Sequence, residues 1–310
     1  MQHDWIWLTL LASLLQAVRT AAQKNLGERM SPWSATYVRA LIGLPLMAVY
    51  LAAVAALTPG GGAFGLPDWD GGAFFGWCAL AALTQNLGSY ALLSLYQFRN
   101  FAVANQLART NLFFTAVFGA LFFSEVVSVS GWVAIALAFL GAVMLTVRRV
   151  ALPYGGGADW TELVDARSVR VGLFIGLVYG ICNLAIREAA LSLESGEALL
   201  RGAATVVTVT GMQAVGLGAW LVWREPGFLA AIWRERRTSA FVGVTSAIGS
   251  IGWFGAFAIT NASYVMAVGQ VEAVFSVLIS VLYFRERIAG LELIGIAVVV
   301  AGILLFALGG

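Results

Sequence analysis

Three ionisable side chains lie deep inside apolar stretches of this 310-residue chain: Arg19, Arg109 and Glu272. Charges at membrane depth are costly, so such residues are functional candidates by default. At about 1.5 Å per residue, Arg109 and Glu272 lie about 13 to 15 Å from the start of their stretches, near the middle of a bilayer. Arginine binds carboxylates, and a deep carboxylate can carry a coupling proton. A structural ion pair between Arg109 and Glu272 is the alternative interpretation.

Polar and aromatic side chains at helical spacing extend this candidate site. Asn105 precedes Arg109 by four residues and therefore shares its helix face. Such groups predict a cavity for a small solute with a carboxylate and a hydrophobic or aromatic part, a description that amino acids fit. The predicted substrate-binding residues are Arg109, Asn105, Arg19, Gln85, Tyr90, Tyr179, Asn183 and Trp253, and Glu272 is the predicted proton-coupling residue.

The elements that position these residues are membrane-spanning helices. The chain is 60% hydrophobic and 11% charged, whereas soluble proteins are about 45–50% apolar and about 25% charged. The apolar residues fall into blocks of roughly 20, the length that crosses a bilayer as a helix. We predict ten spans, at 5–25, 33–57, 72–95, 101–123, 129–147, 170–187, 199–223, 239–259, 263–284 and 289–308.

The two halves of the chain repeat each other at an offset of 161 residues. Gly88-Ser89 falls on Gly249-Ser250, and Gly141 falls on Gly302. Each half has an odd number of spans, so the second half enters the membrane from the opposite side. The predicted fold is therefore an all-α membrane protein with ten transmembrane helices in two inverted five-helix repeats. Arg39 and Arg201 lie near span ends, where snorkelling and packing are the expected roles.

Two segments at equivalent places carry a resemblance to a known family. Asn111-Leu112-Phe113 through Phe123-Ser124-Glu125, and Glu272-Ala273-Val274-Phe275 through Phe284-Arg285-Glu286, resemble the paired signature of the drug/metabolite transporter superfamily, in its ten-helix EamA-type branch. The resemblance implies a secondary transporter of small metabolites, often an exporter of amino acids or related compounds. Family members commonly have a proline where this chain has Leu112 and Ala273. The resemblance also implies two EamA-like repeats, 1–147 and 170–310. The longest polar insertion of the chain, 148–169, lies between them and is interpreted as a linker.

Charge distribution predicts an orientation in the membrane. Most of the 18 Lys and Arg residues lie in the connections after odd-numbered spans, and the positive-inside rule places such loops in the cytoplasm. Both termini are then outside the cell, whereas the family resemblance implies cytoplasmic termini. We expect a multi-pass protein of the inner or plasma membrane.

Low counts of reactive residues exclude several other classes. With one histidine and two cysteines, the chain has no metal-ligand spacing, and we expect no cofactor. No basic run with interleaved aromatics indicates nucleic acid, and no clustered acid or histidine motif indicates an intramembrane enzyme. The expected partners are a small-molecule substrate, protons and the lipid bilayer, with monomer and homodimer both open. A passive channel or uptake permease is the alternative to an exporter.

Overall fold

A computed structural model describes residues 4–58, 71–95, 108–125, 127–151, 166–284 and 290–309. Each predicted span contains at least one helix of this structure, and the described part of span four begins at Ala108. The helices are α1 (Asp4–Arg29), α2 (Pro32–Leu57), α3 (Gly71–Leu95), α4 (Asn111–Phe122), α5 (Val129–Ala151), α6 (Ala166–Leu191), α7 (Ala198–Arg224), α8 (Phe228–Arg234), α9 (Arg236–Ile259), α10 (Ala262–Gly269), α11 (Val271–Phe284) and α12 (Gly290–Gly309).

Helix length and hydropathy agree with a membrane environment. Among the described residues, five helical stretches are long and apolar enough to cross a membrane, namely 32–57, 169–191, 198–224, 236–259 and 262–279. Shorter apolar helices cover 111–122, 129–144 and 293–305. Helix α5 ends at Ala151 and helix α6 begins at Ala166, so both helices extend into the predicted linker, 148–169.

The start of α2 shows how local sequence sets a helix boundary. Ser31 has extended backbone geometry, and its hydroxyl accepts the Ser34 N–H at 3.1 Å, so it caps the helix. Pro32 occupies the first turn, where its missing N–H costs no hydrogen bond. The hydroxyls of Ser31 and Ser34 also donate to Glu225 at 2.5 and 2.8 Å, which ties the first repeat to the end of α7.

Helices α5 and α12 cross through reciprocal glycine contacts. A Cβ atom at Gly141 would lie 2.7 Å from the backbone nitrogen of Val299. A Cβ atom at Gly302 would lie 3.1 Å from the backbone nitrogen of Ala138. Both contacts join the same two positions of the repeat, 161 residues apart, as a pseudo-two-fold relation between the repeats requires.

The first helix of each repeat packs onto the other repeat. Helix α6 packs against α3 and α4, and its symmetry mate α1 packs against α9, α10 and α11. These close approaches depend on glycine: a Cβ atom at Gly180 would lie 2.6 Å from Phe114 Cβ, and one at Gly252 would lie 2.7 Å from the Leu8 carbonyl oxygen. We call α3, α4 and α6 the first trio, and α1, α9 and α10–α11 the second trio.

Span nine is interrupted although the family's proline is absent. Helix α10 ends at Gly269 and α11 begins at Val271. Gly269 has no side chain, which leaves room for the Trp253 ring; a Cβ atom there would lie 2.6 Å from Trp253 Cη2. Polar side chains satisfy the freed carbonyls, since Gln270 Nε2 donates to Met266 at 3.2 Å and Ser13 Oγ donates to Gly269 at 3.4 Å. Close packing and side-chain hydrogen bonds thus stabilise an interruption of the kind that a proline commonly causes in a helix.

Candidate functional site

A cavity of about 170 Å³ lies between the two trios. Both repeats contribute to it, and most of its polar groups are amides, hydroxyls or guanidinium groups. The described residues that line it are Ala12, Gln16, Arg19, Thr20, Gln23, Arg39, Gln85, Leu92, Ala108, Arg109, Asn111, Tyr179, Cys182, Asn183, Ile186, Thr245, Gly249, Ser250, Trp253, Phe254, Phe257, Met266, Gly269, Gln270 and Glu272.

The turn before α4 and the break in span nine meet in this cavity at symmetry-related residues. Arg109 lies in the turn immediately before α4, and Gln270 lies in the break between α10 and α11. Arg109 Nη1 donates to Gln270 Oε1 at 3.3 Å across the 161-residue offset. The same offset relates Asn111 to Glu272, and both line the cavity. The first repeat therefore places a cation immediately before α4, and the second places an anion in the first turn of α11.

Glu272 lies in the first turn of α11 and accepts a hydrogen bond from Gln16 Nε2 at 2.8 Å. A carboxylate is favoured there because the N-terminal end of a helix is partly positive. Arg109 and Glu272 each bond to a neutral amide, and no salt bridge joins them in the part of the chain that the structure describes. The geometry therefore does not support the structural ion pair that the sequence left open.

Arg39 also reaches the cavity, contrary to the expectation that it snorkels at a span end. Its Nη1 donates to Ser89 Oγ at 2.8 Å, and Ser89 Oγ lies 3.2 Å from the Tyr179 hydroxyl. This chain of contacts joins α2 to the first trio. The sequence places Arg39 near a span end, and its contact with α3, and through Ser89 with α6, is visible only in the tertiary structure.

Most of the other predicted site residues line the same cavity. Arg19 Nη1 donates to Ser246 Oγ at 3.0 Å, Gln85 Oε1 accepts from Gln213 Nε2 at 2.7 Å, and Asn183 Nδ2 donates to Thr115 Oγ1 at 3.1 Å. Tyr179 and Trp253 are also in the lining, and the Trp253 ring stacks with Phe257 at a centroid distance of 6.1 Å.

Two predicted residues are not part of the described site. Tyr90 does not line the cavity; its ring stacks on Trp33 with centroids 4.0 Å apart. The physical reason is helical geometry: Tyr90 directly follows Ser89, and consecutive residues lie on different faces of a helix such as α3. Asn105 lies outside the described residues. Sequence reasoning missed Gln270 and Asn111, and only the repeat offset from Arg109 and Glu272 could have found them.

The cavity's chemistry is that of a reversible binding site for a polar solute. Guanidinium groups and amides supply donors, Glu272 supplies a carboxylate, and four aromatic side chains supply apolar surface. No group of three or more His, Cys, Asp or Glu suited to a metal ion occurs among the described residues.

Comparison with known families identifies the repeated architecture. The model of the EamA-like transporter family matches residues 3–147 and again residues 172–308. The chain belongs to the EamA-like transporter family. It is thus an all-α, multi-pass membrane transporter of the drug/metabolite type, and the EamA-like unit occurs twice in it.

Solved structures support the same fold. A solved crystal structure of a protein shares 14% sequence identity with this EamA-like transporter, with a TM-score of 0.67 over 99% of this chain and 98% of the other. At that identity the likeness concerns the fold alone. A search of curated proteins gave no match. Membership of a transporter family fits the expectation that the chain is not an enzyme.

Proposed function

We propose that this protein is a secondary-active transporter that exports small metabolites bearing a carboxylate, such as amino acids or aromatic and amphipathic acids. The observation that carries the proposal is the cavity between the two trios, where charged, amide and aromatic groups from both repeats converge. Its volume of about 170 Å³ suits a compact solute, because pockets for drug-sized ligands are larger, at about 300–1,000 Å³.

In this proposal Arg109 and Arg19 bind the anionic group of the substrate, and Asn105, which lies outside the described residues, remains a predicted contact. A guanidinium presents a planar fork of donors that matches a carboxylate. Trp253, stacked with Phe257, contacts the apolar body of the substrate. Gln85, Tyr179 and Asn183 provide the polar contacts around it.

Glu272 is the proposed coupling group for protons. It is the only carboxylate among the described residues that line the cavity. Its carboxylate accepts a hydrogen bond from Gln16 Nε2 at 2.8 Å, which holds it at the cavity. A cycle in which proton and substrate bind in turn would then link export to the proton gradient.

The proposed mechanism is alternating access by relative motion of the two trios. Each trio combines helices of both repeats, so the moving bodies are the trios and not the two sequence halves. Glu125 joins the two trios at one end of the bundle, so its contacts must change when the trios move. Its carboxylate accepts from the Ala262 N–H and the Ser263 hydroxyl, both at 3.1 Å, and forms a 2.8 Å ion pair with Arg187.

A disulfide within one trio tests this mechanism. A Cβ atom at Gly249 would lie 3.8 Å from Leu15 Cβ, the mean distance of about 3.8 Å for disulfides. The test variant combines Leu15→Cys with Gly249→Cys on a background that lacks Cys78 and Cys182. We expect the oxidised variant to retain transport in proteoliposomes, because both cysteines lie within the second trio. The disulfide joins α1 of the first repeat to α9 of the second.

If the sequence halves move as bodies, the oxidised protein is inactive and a reductant restores it. The two single-cysteine variants control for each substitution. Saturable uptake by the unmodified protein separates a transporter from a passive channel, whose flux rises linearly with solute concentration.

Membrane orientation is part of the proposal. Arg29 and Glu235 form a 3.0 Å salt bridge between the connections that follow spans one and seven, which is consistent with both connections lying on one side. We propose that this side is cytoplasmic and that the termini are outside. Because the termini are outside in this proposal, a cysteine placed at position 3 should react with an impermeant thiol reagent in intact cells. Cys78 and Cys182 are buried and should add little background. Protection of that cysteine would reverse the orientation.

A further inference from the structure

The cavity contains more positive than negative charge. Its described lining holds three guanidinium groups, of Arg19, Arg39 and Arg109, and one carboxylate, of Glu272. The undescribed part of span four, 101–107, has no acidic residue in its sequence. Arg39 and Arg109 by themselves outnumber Glu272, so the cavity favours a solute that brings anionic charge, because unbalanced charge at membrane depth is costly.

Arg39 and Arg109 are held by neutral acceptors. Arg39 donates to the Ser89 hydroxyl and Arg109 to the Gln270 amide oxygen. The Nε atoms of both arginines are buried and have no hydrogen-bond partner in the described structure. A buried donor without a partner costs free energy, and each of these guanidinium groups retains donors for an incoming anion.

The two guanidinium groups are held by different partners within the site. Arg39 lies on α2 and contacts the first trio through Ser89 and Tyr179. Arg109 bonds across to Gln270 of the second trio. Both line one cavity of about 170 Å³, so a single compact molecule can reach both with anionic groups at its two ends.

We propose that the preferred substrate is a compact organic dianion, a dicarboxylate or a phosphate ester, with one anionic group on Arg109 and the other on Arg39. This inference rests on the proposed transport function and narrows its substrate class. Glu272 then repels a third anionic group and leaves space for a cationic or hydroxyl substituent.

Ligand-induced stabilisation tests the inference on the full-length protein in detergent. A thiol-reactive dye reports unfolding, since Cys78 and Cys182 are buried, and ligands that bind the native state raise the apparent Tm. The probes are succinate against butyrate, glutamate against glutamine, and glycerol 3-phosphate against glycerol, at matched ionic strength. We expect at least one dianionic or dicarboxylate probe to raise Tm more than its match.

Variants assign that preference to Arg39. We expect Arg39→Gln to weaken the binding of the favoured probe about ten- to a hundred-fold. Its affinity should then equal that of the paired compound that lacks the second anionic group. Arg39→Lys keeps the charge and retains part of the preference, and it serves as the second variant if Arg39→Gln does not fold. Arg224→Gln is the matched control, because Arg224 is exposed and stacks on Trp223.

The outcomes separate this inference from the transport proposal. Equal stabilisation by every probe and its match in the unmodified protein overturns the dianion inference, as does a preference that persists in Arg39→Gln. If the dianion inference fails but butyrate or glutamine still binds in an Arg109-dependent manner, the proposed transport function stands. A preference for glycerol 3-phosphate over succinate assigns a phosphate ester, and the reverse assigns a dicarboxylate.

Discussion

Substitution of Gly141 by alanine should weaken the contact between α5 and α12. The added Cβ would lie 2.7 Å from Val299 N and 2.8 Å from the Gly295 carbonyl oxygen. Both are backbone atoms, so no side-chain rotation can relieve the overlap. Ordinary van der Waals contact begins at 3.4 Å, so the helices must separate locally by several tenths of an ångström. Overpacking of this kind costs about 1–3 kcal/mol.

Two other glycines turn this prediction into a graded series. At Gly302 the added Cβ would lie 3.0 Å from the Ala134 carbonyl oxygen, a milder overlap at the symmetry-related position. At Gly76 nothing lies within 4 Å. All three substitutions gain up to about 1 kcal/mol of helix propensity. The difference between Gly141→Ala and Gly76→Ala therefore isolates the packing cost.

Apparent unfolding temperatures in detergent, read with the thiol-reactive dye, measure this series. We expect Gly76→Ala to be the most stable of the three variants, Gly302→Ala to be intermediate, and Gly141→Ala to be the least stable. A Gly141→Ala protein as stable as Gly76→Ala would refute the argument that α5 and α12 approach through these glycines. It would also remove the best structural evidence for the pseudo-two-fold relation.

Three further substitutions probe the site and its closure. Glu272→Gln should abolish the pH dependence of transport in proteoliposomes and leave the elution profile of the purified protein unchanged; an unaltered pH profile would exclude a coupling role. Arg187→Gln should lower stability by about 3–5 kcal/mol, because Glu125 is only 5% exposed and would lose its counter-charge; an unchanged Tm would contradict this. Gly269→Ala should displace the Trp253 ring, because the added Cβ would lie 2.6 Å from Trp253 Cη2, and should weaken the binding of aromatic carboxylates about ten-fold relative to small aliphatic ones, as measured by competition; equal effects on both would argue against Trp253 as a contact.

The spans and the duplication could be predicted from sequence alone. Backbone polar groups must be satisfied internally in lipid, so each long apolar block has to be helical. The position of Gly141 relative to Gly302 gave the repeat offset, and the structure shows these two glycines in reciprocal contacts. Depth in a span also identified Arg109 and Glu272, because an ionisable residue there is costly wherever the helix lies.

The face that each helix turns toward the cavity, and the helices that it contacts, could be determined only from the tertiary structure. Arg39 reaches the cavity and Tyr90 stacks on Trp33 instead, and the sequence around each gives no sign of that difference. The interruption at Gln270 depends on the fit between Gly269 and Trp253, which lie on different helices.

The amino-acid sequence determined what had to be buried in the membrane and that it was built twice. The tertiary structure decided that α1 and α6 pack onto the opposite repeats, and thereby which charges share one cavity. The physical reason is that hydropathy and helix formation depend on neighbours along the chain. Contacts between helices depend instead on side-chain shape at positions far apart in sequence.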